Sequence, residues 1–189
     1  LNEKGIETVM WNWDFSGDSK KLDKKIGFSL CSYKEDDIFE KDRLLIDTSS
    51  SAYYLDLPYG YVSYKDSTTH NPPNQENCIG IEAALWGEYC SNMKRADYLI
   101  FPRLAPICNT AWNGSSNEKE FESSLDNYYR LLSLLNYKFA KKSRINPKGI
   151  FKSLSILWFE RRQLTWQGLF NIFDDKKIER IAKKKKEDK

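Results

Sequence analysis

Three short apolar runs in this chain each end in an aromatic residue and a carboxylate. Val9-Met10-Trp11 runs into Asn12-Trp13-Asp14. Leu44-Leu45-Ile46 runs on to Tyr53-Tyr54-Leu55-Asp56. Ile79 to Leu85 stops abruptly at Trp86-Gly87-Glu88. A flat aromatic ring packs on the apolar face of a sugar, and a carboxylate beside it accepts from the sugar's hydroxyls. Three such pairs, each delivered by the end of a buried strand, read as a carbohydrate pocket.

The elements that must position these residues follow from the pattern. Strands are expected at Thr8–Trp11, Gly27–Tyr33, Arg43–Thr48 and Asn77–Leu85. The spacers before the second and third are short for full crossover helices. Pro58 to Gln75 reads as a long loop, a feature that is often functional. Asp97 to Trp112 reads as one buried helix, with Pro102 in its first turn, Gly114 past its end and Pro106 shifting its start or kinking it. The clearest helix carries Phe121, Leu125, Tyr128, Leu132, Leu135 and Phe139 at alternating steps of four and three, with Asn117 and Glu120 as its capping box and Pro147 and Gly149 as its stop. Strand, connector, strand, four times over, is a parallel α/β pattern. In a β/α barrel, functional groups sit at the carboxyl ends of the strands, where Trp11, Tyr54, Asp56, Trp86 and Glu88 all fall. A doubly wound sheet would call for a Gly-rich phosphate turn, and the sequence has none.

Composition narrows the classes. At 189 residues the chain holds at most one ordinary domain. Lys+Arg 30 against Asp+Glu 27 is close to balance, so the body carries no nucleic-acid signature. Lys183 to Lys186 read as a solvated tail. Cys31, Cys78, Cys90 and Cys108 lack metal-ligand spacing, and His70 is the one histidine, so neither a metal nor another cofactor is expected. Cys78 and Cys108 sit in apolar runs and read as small buried hydrophobes. No apolar run reaches transmembrane length, and the compartment stays open.

At these same residues the chain resembles the β-N-acetylhexosaminidases of glycoside hydrolase family 20. The resemblance rests on Ala84-Leu-Trp-Gly-Glu-Tyr89, on Tyr54-Leu-Asp56, on Tyr98-Leu-Ile-Phe-Pro-Arg-Leu104 with Thr110-Ala-Trp112, and on Trp11-Asn-Trp-Asp14. It covers about residues 5 to 145. The implied fold is the C-terminal portion, about strands five to eight, of a (β/α)8 TIM barrel, with a C-terminal helical extension. The implied organisation is a partial barrel at 1–145, a helical packing extension at 146–175 that is similar to that of some bacterial members, and a basic disordered tail at 176–189. The implied activity is retaining, substrate-assisted hydrolysis of terminal β-linked GlcNAc or GalNAc, an exception to the usual two-carboxylate scheme.

By position, the resemblance gives Tyr54 the acetamido oxygen and gives Asp56 and Glu88 sugar hydroxyls. Trp86 becomes the wall behind the sugar, and Trp11 or Trp13 encloses the acetamide methyl. Tyr33 stands where the family usually has another pocket Trp. The family's Asp-Glu catalytic pair, in a His-x-Gly-Gly-Asp-Glu setting, is not in this sequence, and Asp36-Asp37 and Asp174-Asp175 lack its context. The expected partners are glycans ending in N-acetylhexosamine and a missing N-terminal barrel half, without which the chain is not expected to be active.

Other readings stand beside these. Trp86, Tyr54 and the Trp11/Trp13 pair can each be read as core, and Asp56 as a turn or cap residue before Pro58. Tyr53 and Tyr54 alternate faces, so only one points inward. Asp14 reads as a helix cap, Arg103 as a structural anchor on a carboxylate or strand-end carbonyls, and His70 as a solvated loop residue. One rival function is a non-catalytic or degenerate sugar-binding protein. Another is an interaction protein that uses its aromatic and basic C-terminal segment, where Arg161 and Arg162 lie between Trp158 and Trp166.

Overall fold

The computed structural model describes residues 4–12, 21–32, 42–74, 76–157 and 159, with the side chain of Glu88 outside the description. Four parallel strands form one sheet in chain order: β1 (Thr8–Trp11), β2 (Ile26–Leu30), β3 (Leu45–Asp47) and β4 (Cys78–Ile81). The register places Trp11 opposite Ser29, and Ser29 opposite Ile46. β2 and β3 are shorter than expected, and β4 covers only the start of the predicted Asn77–Leu85 run. The pairing resumes past that run's middle as an isolated parallel bridge between Tyr54 and Ala84.

One irregularity governs which way the later residues point. Leu45 pairs with Cys78 but Ile46 pairs with Gly80, so β4 carries an extra residue, Ile79, at a bulge. Beyond it, Ile81 shares a face with Asp47. β2 also lies close to the lead-in of β3: a Cβ on Gly27 would meet Leu44 Cδ2 at 3.0 Å and the Leu44 carbonyl oxygen at 3.1 Å, so a larger residue there would have to push its neighbour aside.

The helices differ from expectation in three places. The predicted loop Pro58–Gln75 contains α1 (Tyr64–Thr69). Ser63 caps it, accepting from the Asp66 N–H while the Asp66 carboxylate accepts from the Ser63 N–H, a complete capping box. The single helix expected over Asp97–Trp112 is two, α2 (Met93–Ile100) and α3 (Leu104–Asn113), broken at Phe101-Pro102-Arg103. Pro106 thereby falls in the first turn of α3, where its missing N–H costs nothing. Gly114, at φ 72°, ends that helix. α4 (Glu118–Leu134) begins at the Asn117 cap but stops before Phe139, because Asn136 turns left-handed at φ 58°. Phe139 folds back to stack on Tyr129, with ring centroids 4.9 Å apart. A short α5 (Lys142–Ile145) follows.

On the helix face of the sheet, Phe28, Leu30 and Leu45 form one buried cluster, with Met10 and Cys78 against it. Ala52, Tyr53, Leu55 and Ile107 form a second, onto which Ile81 and Leu104 pack. Tyr59, Tyr64, Leu125, Ala140 and Ile145 form a third. Cys78 is only half-buried and Cys108 is exposed, because Cys108 lies on the side of α3 away from Ile107; the fully buried cysteine is Cys31. The chain divides into two compact units, Leu1–Pro147 and Lys148–Lys189. In the second, residues 149–157 are helical. Among the described residues, no helix is long and apolar enough to cross a membrane.

Candidate functional site

The three strand ends converge. The Trp86 ring lies 5.6 Å from that of Trp11 and 6.3 Å from that of Tyr54, centroid to centroid. Each ring arrives by a different route. Trp11 is the last residue of β1. Tyr54 is held by the bridge to Ala84, with Leu55 N–H donating to Ala84 O at 2.8 Å and Ala84 N–H donating to Tyr53 O at 3.0 Å. Trp86 is the extended residue leading into a 3-10 turn at Gly87–Tyr89. It is 44% exposed, which excludes a core role in this unit. Tyr53 points the other way and is fully buried among the helices, so Tyr54 alone of the pair faces the site. Asp56 is buried, and its charge reaches both Tyr54 and Arg103. The backbone of Glu88 lies in the turn after Trp86, while Trp13, Asp14 and Tyr33 lie outside the described residues, as do Asp36, Asp37 and the pairs at 161–162 and 174–175.

Burial raises the Tyr54 phenol above its ordinary value of 10.0. The Cys31 thiol and the Asp56 carboxylate add to the rise, and the indole N–H of Trp86 works against it. Tyr54 is therefore a neutral hydrogen-bond donor across the physiological range. Burial and the Asp56 charge likewise raise the Cys90 thiol, with Arg95 opposing them.

Polar contacts on both faces of the sheet hold these ends in place. On the site face, the Asn12 side chain accepts from Cys31 N–H at 2.9 Å and donates to Ser32 O, which clamps the end of β1 to the end of β2. Deeper on the same face, Glu82 Oε2 accepts from Ser29 Oγ at 3.2 Å and Thr48 Oγ1 at 3.3 Å, and those two hydroxyls bond each other. This cluster joins β2, β3 and β4. On the helix face, Asp47 is fully buried, accepts from Ser49 N–H at 3.0 Å and meets His70 Nε2 at 2.9 Å. His70 is thus a paired residue rather than a solvated one.

Arg103 is fully buried. Its Nε donates to Leu99 O, Nη1 to Val62 O, and Nη2 to Leu55 O and Leu99 O, with the guanidinium 4.3 Å from the Tyr59 ring centroid. Backbone carbonyls rather than a carboxylate absorb its donors. Burial lowers its pKa, and the Tyr59 ring and the Asp56 charge oppose that. Asn12, Asp47 and Glu82 were passed over in the sequence reading. Glu82 carries the one available signal, a charged residue inside an apolar run. Among the described residues, no cluster of His, Cys, Asp and Glu could hold a metal.

The comparisons with known proteins fit this geometry. Residues 1–115 match the model for the glycosyl hydrolase family 20 catalytic domain. The fold is similar to the Vibrio harveyi GH20 exo-β-N-acetylglucosaminidase solved in complex with N-acetylglucosamine (TM-score 0.59, 18% identity, 74% of this chain and 25% of that one). It is similar to the β-N-acetylhexosaminidase of Bacteroides fragilis (0.58, 18%, 74% and 33%). It is also similar to the GH20 β-N-acetylhexosaminidase of Streptomyces coelicolor (0.54, 17%, 68% and 32%). The chain spans a quarter to a third of the length of these proteins. The family-model match, over more than half of this sequence, establishes that the chain belongs to glycosyl hydrolase family 20.

Proposed function

We propose that this chain supplies the sugar-holding portion of a family 20 barrel, about its strands five to eight, in a protein that removes terminal β-linked GlcNAc or GalNAc. The observation that carries the reading is the meeting of the Trp11, Tyr54 and Trp86 rings in one cluster, with the charge of the buried Asp56 reaching Tyr54. In the retaining, substrate-assisted reaction, the substrate's acetamido oxygen attacks the anomeric carbon. Tyr54 donates to that oxygen. The oxygen gives up electron density as it bonds the anomeric carbon, so Tyr54 acts by orienting it for attack rather than by a bond that tightens in the transition state. Trp86 forms the wall under the ring, Trp11 or Trp13 encloses the acetamide methyl, and Tyr33 takes the place of the family's other pocket Trp. Asp56 and Glu88 hold hydroxyls remote from the breaking bond, and that binding energy offsets ring distortion.

The Asp-Glu pair that would protonate the leaving oxygen is not in this sequence. Catalysis therefore needs residues from the other part of the barrel, and the chain alone is inactive. The lack of that pair also supports a second reading, a sugar-binding protein without chemistry. Expressing the longest reading frame that contains this sequence, and assaying it with a chromogenic β-GlcNAc substrate and an acetamide-oxazoline mimic, separates the two. Hydrolysis blocked by the mimic supports the enzyme. Binding of the mimic without hydrolysis supports the second reading, and a protein that neither hydrolyses the substrate nor binds the mimic would sink both.

A further inference from the structure

We propose that His70 is a positioning residue for Tyr54, acting from the opposite face of the sheet through Asp47 and Tyr53. His70 is the one histidine of the chain and caps the C-terminus of α1, where its N–H donates to Asp66 O at 3.1 Å. Its ring nitrogen reaches the fully buried Asp47 carboxylate at 2.9 Å, and its ring meets Tyr53 edge-on at 5.0 Å. Asp47 is the last residue of β3, and the chain that leaves it is the segment bearing Tyr54 and Asp56. Asp47 fixes the first turn of that segment through Ser49 N–H, and Tyr53 fixes its last through the bond from Ala84 N–H. The α1 helix binds the same segment a third time, Ser67 Oγ donating to Ala52 O at 2.8 Å. His70 therefore touches both ends of the turn that presents Tyr54, without facing the site itself.

A buried carboxylate that loses its donor is costly, and the turn must shift to bring a replacement. His70→Phe keeps the ring against Tyr53 and removes the donor. His70→Gln keeps a donor for Asp47. The role of Tyr54 as a substrate-facing group rests on the sugar-pocket reading, so one measurement is made independently of it. In ¹³C-tyrosine-labelled chain, the Tyr54 ring signal is assigned by its loss in Tyr54→Phe. His70→Phe is expected to move that signal while leaving Tyr128 and Tyr129 in place, and His70→Gln to leave all of them. An unmoved Tyr54 signal in His70→Phe overturns the proposal, as does an equal displacement of every tyrosine, which would mean a general loss of fold. Where His70→Phe does not fold, Asp47→Leu removes the acceptor from the other side and is read in the same way.

In the active gene product, the second measurement is a double-mutant cycle. His70→Phe is expected to lower kcat about tenfold in the parent but less than about twofold once Tyr54 is Phe, since coupled residues are non-additive. Equal losses in both backgrounds overturn the positioning role. A parent that binds no sugar mimic would count against the pocket reading, and the Tyr54 signal would still decide this one.

Discussion

The two arms that meet at the site are held in opposite ways. The arm from Asp47 to Asp56 is almost wholly buried and is fixed by directional bonds: Asp47 to Ser49 and His70, Thr48 to Glu82, Ser67 to Ala52, and Arg103 to Leu55. The arm from Leu85 to Tyr89 is largely exposed. Its contacts include a turn bond, Cys90 N–H to Gly87 O at 3.2 Å, the Trp86 indole N–H against the Tyr54 hydroxyl, and ring contacts of Trp86 with the other two aromatics. Hydrogen bonds to charged groups fix direction, whereas tilted ring contacts tolerate sliding. The fold thus presets the position of Tyr54 more tightly than that of Trp86.

The largest effect expected from this contrast is at Arg103. Arg103→Met removes every donor to Leu55, Val62 and Leu99 from a dry site. A loss of about 3–5 kcal/mol is expected, the scale for breaking a buried charged network. Urea unfolding of the two proteins measures it, and a loss below about 1 kcal/mol would show that the first arm is not bond-held. Trp86→Ala should do the reverse. Stability should fall by about 1 kcal/mol or less, because the ring is half in solvent already, while affinity for a GlcNAc-type ligand falls more than about tenfold. Large destabilisation with unchanged affinity would erase the distinction between the arms.

The smallest effect is a pH dependence. The folded Tyr54 pKa lies above the unfolded value of 10.0, so its contribution to stability is complete below pH 10 and is lost as pH rises through the folded value. Tyr128 and Tyr129, both pushed up to about 12 by burial, act in the same direction. Denaturation melts between pH 9 and 12 should therefore show Tyr54→Phe losing stability more slowly than the parent. Parallel curves would mean that the Tyr54 hydroxyl is already solvated.

What the sequence made legible was local. Apolar runs located all four strands, since strands of a parallel sheet read as runs rather than as alternation. The aromatic-carboxylate pairs and the family motifs pointed to Trp11, Tyr54 and Trp86, and these meet. The capping box at Ser63 and Asp66 was equally readable, but the prolines and glycine around it drew attention to a loop. The split between α2 and α3 was half-visible in Pro102 and Pro106. The anchoring groups were hidden for a different reason. Asn12 with Cys31, Ser29 with Glu82, and Asp47 with His70 are separated by 19, 53 and 23 positions. Their meaning lies in register and in which face a residue takes, and neither is set by its neighbours along the chain.

That parity has a further consequence at the β4 bulge. Because side chains alternate along a strand, the extra Ile79 decides whether everything after it faces the helices or the site. Glu82, Ala84 and Trp86 share one parity, and Ile81 has the other. Replacing Ile79, which is 63% exposed, alters one side chain, but deleting it sends Glu82 towards the apolar helices and Ile81 towards the Trp11–Trp86 face. The count of residues between Cys78 and Trp86 is therefore a stricter constraint than the identity of most of them. In relatives, length should be preserved here even where letters change.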